Sequence, residues 1–167
     1  AGSTGDGSLS QSVPGGAVTG SGNIYNPAGA SRFTIVDSVE GDYEQVVLQV
    51  ESIGDVDASV ATLRYGDRAI PVAGTELGRL PGGFGDIVYT LWSWDLTSVS
   101  TRRIEIDFSA AASHMSLSMV RFDSLVASAP KGERVSAAWD SPSYDRWNYW
   151  FNFTPGRRPR ASMFRFI

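Results

Sequence analysis

Polar and apolar residues alternate with a period of two along much of this chain, and that pattern predicts strands. From Gln45 to Ile53, Val46, Leu48 and Val50 share one side, while Gln45, Gln49 and Glu51 share the other. From Arg102 to Phe108, Ile104, Ile106 and Phe108 alternate with Arg103, Glu105 and Asp107. Ser31 to Val36 reads as a shorter strand of the same kind. Val60 to Tyr65 and Arg68 to Val72 flank Gly66-Asp67, a turn pair that closes a hairpin. Ile87 to Trp94 is a long aromatic strand. Met115 to Phe122 changes phase near Val120, which predicts a bulge or burial on both faces. Only Glu40 to Gln45 invites a turn of helix.

About seven short strands, each with one apolar face to bury, predict an all-β fold of two packed sheets. The expectation is a β-sandwich, jelly-roll-like, over residues 31–126. An extended N-terminal arm (1–30) precedes it and an aromatic C-terminal tail (127–167) follows, beginning with a linker from Ala127 to Glu133.

The two ends break the pattern. Residues 1–30 contain eight glycines and one charge, Asp6, with Leu9, Val13, Val18, Ile24 and Tyr25 as sparse apolar positions. So little apolar surface does not offset the entropy of ordering the arm alone. The arm is therefore expected to lie either on its own domain or on another molecule. In the tail, Trp139 to Gly156 is dense in aromatic residues, including Trp147, Tyr149, Trp150, Phe151 and Phe153. The last five residues, Met163 to Ile167, alternate through Phe164 and Phe166 like a strand, and an apolar terminal strand invites pairing with a sheet edge.

Composition narrows the function classes. The chain has 167 residues, enough for one domain with a proper core. It has no cysteine, which removes disulfides, thiolate metal sites and cysteine nucleophiles together. No run of about 18 apolar residues exists to span a membrane as a helix. The first residue is Ala1, and a processed amino terminus left by a signal peptide is the simplest expectation. Charge is divided. Residues 1–130 hold 7 Arg against 15 Asp and Glu, a net −8, while residues 131–167 hold 7 Lys and Arg against 3 acids, a net +4. An acidic body with a basic tail suits a contact between copies and disfavours nucleic acid.

A set of local motifs carries a resemblance. Gly83-Phe84-Gly85-Asp86-Ile87-Val88-Tyr89, Trp94-Asp95-Leu96, Ile104-Glu105-Ile106 and His114 to Val120 resemble exported bacterial proteins of the PEP-CTERM, exosortase-sorted type. Tyr144-Asp145-Arg146-Trp147, Phe151-Asn152, Thr154-Pro155-Gly156 and Arg158-Pro159 are similar to a tail motif of such proteins in planctomycete-type bacteria. Neither the Pro-Glu-Pro signal nor its membrane helix occurs within these residues. The resemblance implies export, and a place at the bacterial cell surface or in the extracellular matrix.

Candidate chemistry is sparse. His114 is the single histidine, and no Gly-x-Ser-x-Gly elbow accompanies it, so a turn or surface role is expected over general-base catalysis. Glu105 and Asp107 lie on one strand face about 7 Å apart. That is compatible with a glycosidase pair, but charged outward faces serve solubility more often. Asp55 and Asp57, in an acidic loop, are candidates for a structural calcium ion; no other cofactor is expected. Trp92 and Trp94 share one strand face, as a sugar-stacking platform or as core. Asn152-Phe153-Thr154 fits a glycosylation acceptor.

The expectation that follows is a non-enzymatic, secreted structural protein. It would assemble with copies of itself into a filament, sheath or matrix by giving terminal strands to a neighbour. The assembly residues would be Leu9, Val13, Val18, Ile24, Tyr25, Trp147, Tyr149, Trp150, Phe164 and Phe166. The alternative is a glycan-binding or adhesive module.

Overall fold

The computed structural model describes residues 7–11 and 16–127 in full, and the backbone of residues 2–3 and 157–165. Among these the chain forms strands and turns and no helix. The strands are β1 (Gly2–Ser3), β2 (Ser8–Gln11), β3 (Ala17–Val18), β4 (Ile24–Tyr25), β5 (Arg32–Ser38), β6 (Tyr43–Ile53) and β7 (Thr62–Tyr65). They continue with β8 (Arg68–Pro71), β9 (Thr75–Leu80), β10 (Ile87–Asp95), β11 (Arg103–Ser109), β12 (Ser116–Ala127) and β13 (Arg157–Arg165).

Two antiparallel sheets result. The larger runs β1-β13-β12-β6-β10-β9, with the small β3–β4 ribbon also attached to β12 through β4. The smaller runs β2-β5-β11-β7-β8. Each sheet turns its apolar side inward, and the two sides form one core. β5 and β11 show why. Their alternate residues Phe33, Ile35, Ile104, Ile106 and Phe108 are all buried, and Phe33 lies opposite Phe108 with rings 5.1 Å apart. From the larger sheet come Val46, Leu48, Val50, Trp92, Trp94, Val120 and Phe122. Trp92 reaches across to Phe108 at 6.1 Å.

The hairpin at Gly66-Asp67 joins β7 to β8, with Gly66 at φ +50°, a conformation costly for a side chain with Cβ. β12 does contain a bulge, but at Ser118, between Leu117 and Met119, two residues before the expected place. Its phase also blurs because both faces are covered: Val47, Gln49, Asp123 and Leu125 are buried on the side away from the core. The turn of helix expected over Glu40 to Gln45 is absent. The Tyr43 amide donates to Thr101 O, and Asp42 O accepts from the Ala127 amide. Those neighbours draw the segment into the start of β6. The Tyr43 hydroxyl then donates to buried Asp37 at 2.6 Å.

Gly74 leads into β9 beside the core. A Cβ there would meet Trp92 Nε1 at 2.7 Å and Thr90 Cγ2 at 2.9 Å. Gly74→Ala should therefore lower stability by about 1–3 kcal/mol, the usual range for overpacking. A thermal melt beside Gly66→Ala, strained by φ but sterically open, separates crowding from backbone conformation. Unchanged Trp92 fluorescence in Gly74→Ala would count against the crowding argument.

Candidate assembly edges

The described strands of the N-terminal arm pair with the chain's own sheets. Leu9 is the one apolar residue of β2; it sits opposite Ile35 and packs against the core, while Gln11 donates to Ser31. Ile24 sits opposite Leu117 and also packs against the core. Tyr25 hydrogen-bonds His114 Nδ1 at 2.7 Å, and His114 occupies a turn with φ +67°. So Leu9, Ile24 and Tyr25, named as assembly residues, make contacts within the chain, one of the two placements expected for the arm. The cause is open strand edges on β5 and β12 close by, which the arm can pair locally. Val18 remains 57% exposed. Val13, Trp147, Tyr149, Trp150 and Phe166 lie outside the described residues, as do Lys131 and the Asn152-Phe153-Thr154 acceptor pattern.

The C-terminal segment forms the nine-residue β13. Arg157 to Arg165 pairs with Ala127 to Met119 along one edge of β12. On its other edge β1 covers only Phe164 and Arg165. Phe164 thus joins a strand of its own chain's sheet, and the open edge of β13 runs from Arg157 to Met163 among the described residues. At the far end of the same sheet is β9, which no alternation announced. It is exposed on both faces, carries a bulge at Leu77, and leads into the Gly-rich loop 81–86 with Phe84 97% exposed. The signal that could have found it was the pair Leu77 and Leu80, set apart from the core pattern before Pro81.

Trp92 and Trp94 form no sugar platform. Both are fully buried, and their Nε1–H groups donate to Ala58 O at 3.2 Å and Ile70 O at 2.9 Å. Their shared parity was correctly read, but it turns both rings inward. Asp55 and Asp57 are each engaged by neighbours within the chain. Asp55 accepts from Arg79 Nη2 at 2.6 Å, and Asp57 holds its own turn through the Ser59 amide and hydroxyl. No cluster of three metal-ligating side chains occurs among the described residues. Asp107 takes the Thr34 hydroxyl and Arg64 Nε, so it is tied to neighbours on both adjacent strands.

The chain matches no protein-family model, no curated protein and no solved structure. Its edges must speak for themselves.

The electrostatics of the β9 edge centre on Arg79. Its guanidinium binds Glu76 at 2.9 Å, Asp55 at 2.6 Å and Asp86 at 3.4 Å. The hydrogen bonds to Glu76 and then Asp55 hold Arg79 above its ordinary pKa. Three exposed carboxylates against one cation leave this edge acidic. An open polar groove elsewhere, lined by Asp42, Arg64, Tyr65, Arg102 and Glu105, has its charges largely matched: Arg64 by Asp107, and Arg102 by Asp42 at 4.0 Å.

Proposed function

We propose that this domain is a non-catalytic structural protein, exported to the bacterial surface or matrix, that joins copies of itself into a filament or sheath through its terminal strands. One observation carries the reading. β13, a nine-residue strand, is bound along one edge by β12 and, among the described residues, is covered on the other only where β1 meets Phe164 and Arg165. Such an edge presents unmade backbone hydrogen bonds and accepts another strand readily. The extracellular setting rests on the resemblance of the Gly83–Tyr89, Trp94–Leu96 and His114–Val120 segments to exported proteins. The N-terminal arm has the opposite part: by pairing β2 with β5 and β4 with β12, it closes edges that would otherwise compete. Trp92 and Trp94, named for the glycan-binding alternative, are buried and offer it no stacking face.

The test is the state of the pure protein. Light scattering over a wide concentration range, with electron microscopy, should show concentration-dependent growth of extended particles. A monodisperse monomer at every concentration would overturn the reading.

A further inference from the structure

If the domain assembles through an open β13, some surface must receive that strand. We infer that the receiver is the β9 edge of the next copy, so that the larger sheet continues from molecule to molecule. This inference rests on the assembly reading above and names its contact.

Three properties select β9. First, it ends the same sheet at the opposite side, and its outer edge is unpaired among the described residues. Natural edges are commonly protected by lysine, proline or a covering segment. β9 contains neither residue, and its one cation, Arg79, is held by three carboxylates of its own chain. Among the described residues its protection is the bulge and the charges of Glu76 and Arg79. Second, the charges complement. Asp55, Glu76 and Asp86 surround Arg79 with a net −2, whereas β13 carries Arg157, Arg158, Arg160 and Arg165 and no acid. Third, β9 displays apolar surface: among the described residues Leu77 is 43% exposed and Leu80 39%, and Phe84 stands out from the adjoining loop. Exposed apolar side chains grouped at a strand edge mark a contact surface.

The remaining edges of the smaller sheet fit less well. β8 carries Arg68 and ends in Pro71, so an arginine-rich strand would meet repulsion and a missing donor. β2 is a four-residue strand with no charge. The lengths of donor and receiver also agree. β9 has six residues, and the open stretch of β13 spans residues 157–163, with Pro159 lacking one donor. A contact between two different edges is heterologous and does not close on itself, so it grows a linear array rather than a dimer.

The experiment uses the absence of cysteine. Full-length Leu77→Cys and Ala161→Cys variants are mixed and treated with a short bis-maleimide. Within one chain the two positions are four strand spacings apart, roughly 19 Å, so a shorter reagent reports contacts between copies. The mixed sample should give a crosslinked heterodimer at about tenfold the yield of either variant alone or of Ala69→Cys on β8 mixed with Ala161→Cys. Leu77→Lys in the otherwise natural chain should raise the concentration needed for assembly about tenfold, with an unchanged melting temperature. Raised salt should weaken assembly, as matched charges predict. Assembly that persists without the mixed crosslink, and that ignores Leu77→Lys, overturns the β9 contact and leaves the broader reading standing. Absence of assembly overturns both.

Discussion

Replacing Trp92 with alanine is expected to cost about 3–5 kcal/mol of folding free energy, the range for truncating a buried large aromatic. The site leaves little room for relaxation. Trp92 lies in β10, between β6 and β9, and is fully buried. Its ring meets Phe108 of the opposite sheet, so it helps hold the layers together. Its indole N–H also donates to Ala58 O at 3.2 Å, a carbonyl that the Gly74 amide reaches as well. Gly74 approaches the same ring so closely that no side chain fits between. Domains of this size have about 5–15 kcal/mol in total, so the variant should unfold at far lower denaturant. Trp92→Phe, which keeps most of the ring volume, should cost only about 1–2 kcal/mol. Guanidinium titrations of both variants beside Leu77→Ala, at an exposed position, supply the comparison. Equal midpoints for Trp92→Ala and Leu77→Ala would show that the inter-sheet role is wrong.

The second large effect depends on pH. Asp123 is buried on the outer side of β12, where desolvation pushes its pKa up to about 6 from an ordinary 3.8. Arg121, bound through Nε at 2.9 Å and Nη2 at 3.2 Å, pulls in the other direction and does not win. A carboxyl that holds its proton more tightly folded than unfolded penalises the fold when ionised. The penalty is fully present above pH 6 and fades as pH falls toward 3.8. From pH 7.5 to pH 4.5 this group alone should therefore add stability, about 2 kcal/mol. That is opposite to the usual acid loss from salt-bridged carboxylates. Melting temperatures across this range, for the natural chain and Asp123→Asn, isolate the term. The variant should lack this component of the slope; an identical pH profile in both proteins would falsify the assignment.

Asp123 also shows where sequence reading reaches its limit. β5 and β11 were legible because one face is buried and the other wet, so Phe33, Ile35, Ile104, Ile106 and Phe108 alternate cleanly. β6 and β12 were only half legible. Val47, Gln49, Asp123 and Leu125 are buried on the second face, which disturbs the period of two. Gln49 goes further, with neither amide atom hydrogen-bonded in its buried position among the described residues. β9 shows no alternation, because a strand exposed on both faces has no reason to alternate, and only Leu77 and Leu80 before Pro81 mark it. The arm's strands are two to four residues long and depend on single anchors, Leu9 and Ile24, that resemble scattered apolar residues in a leader. At the candidate sites, parity put Trp92 and Trp94 together correctly but could not say which way the face turned. The pairing of Asp55 with Arg79, 24 positions away on β9, follows from sheet order, which no local pattern encodes.

The pairing of β1 with β13 has a mechanical consequence. Gly2 lies opposite Arg165 and Ser3 opposite Phe164, so the start of β1 and the end of β13 lie side by side. Tension entering through those ends would load the β1–β13 bonds one pair at a time, peeling them at low force. Tension carried across the sheet, from β13 toward β9, would instead be shared by all the bonds between neighbouring strands. A chain tethered by its ends in a force experiment should thus yield early, while the same domain pulled across its sheet holds.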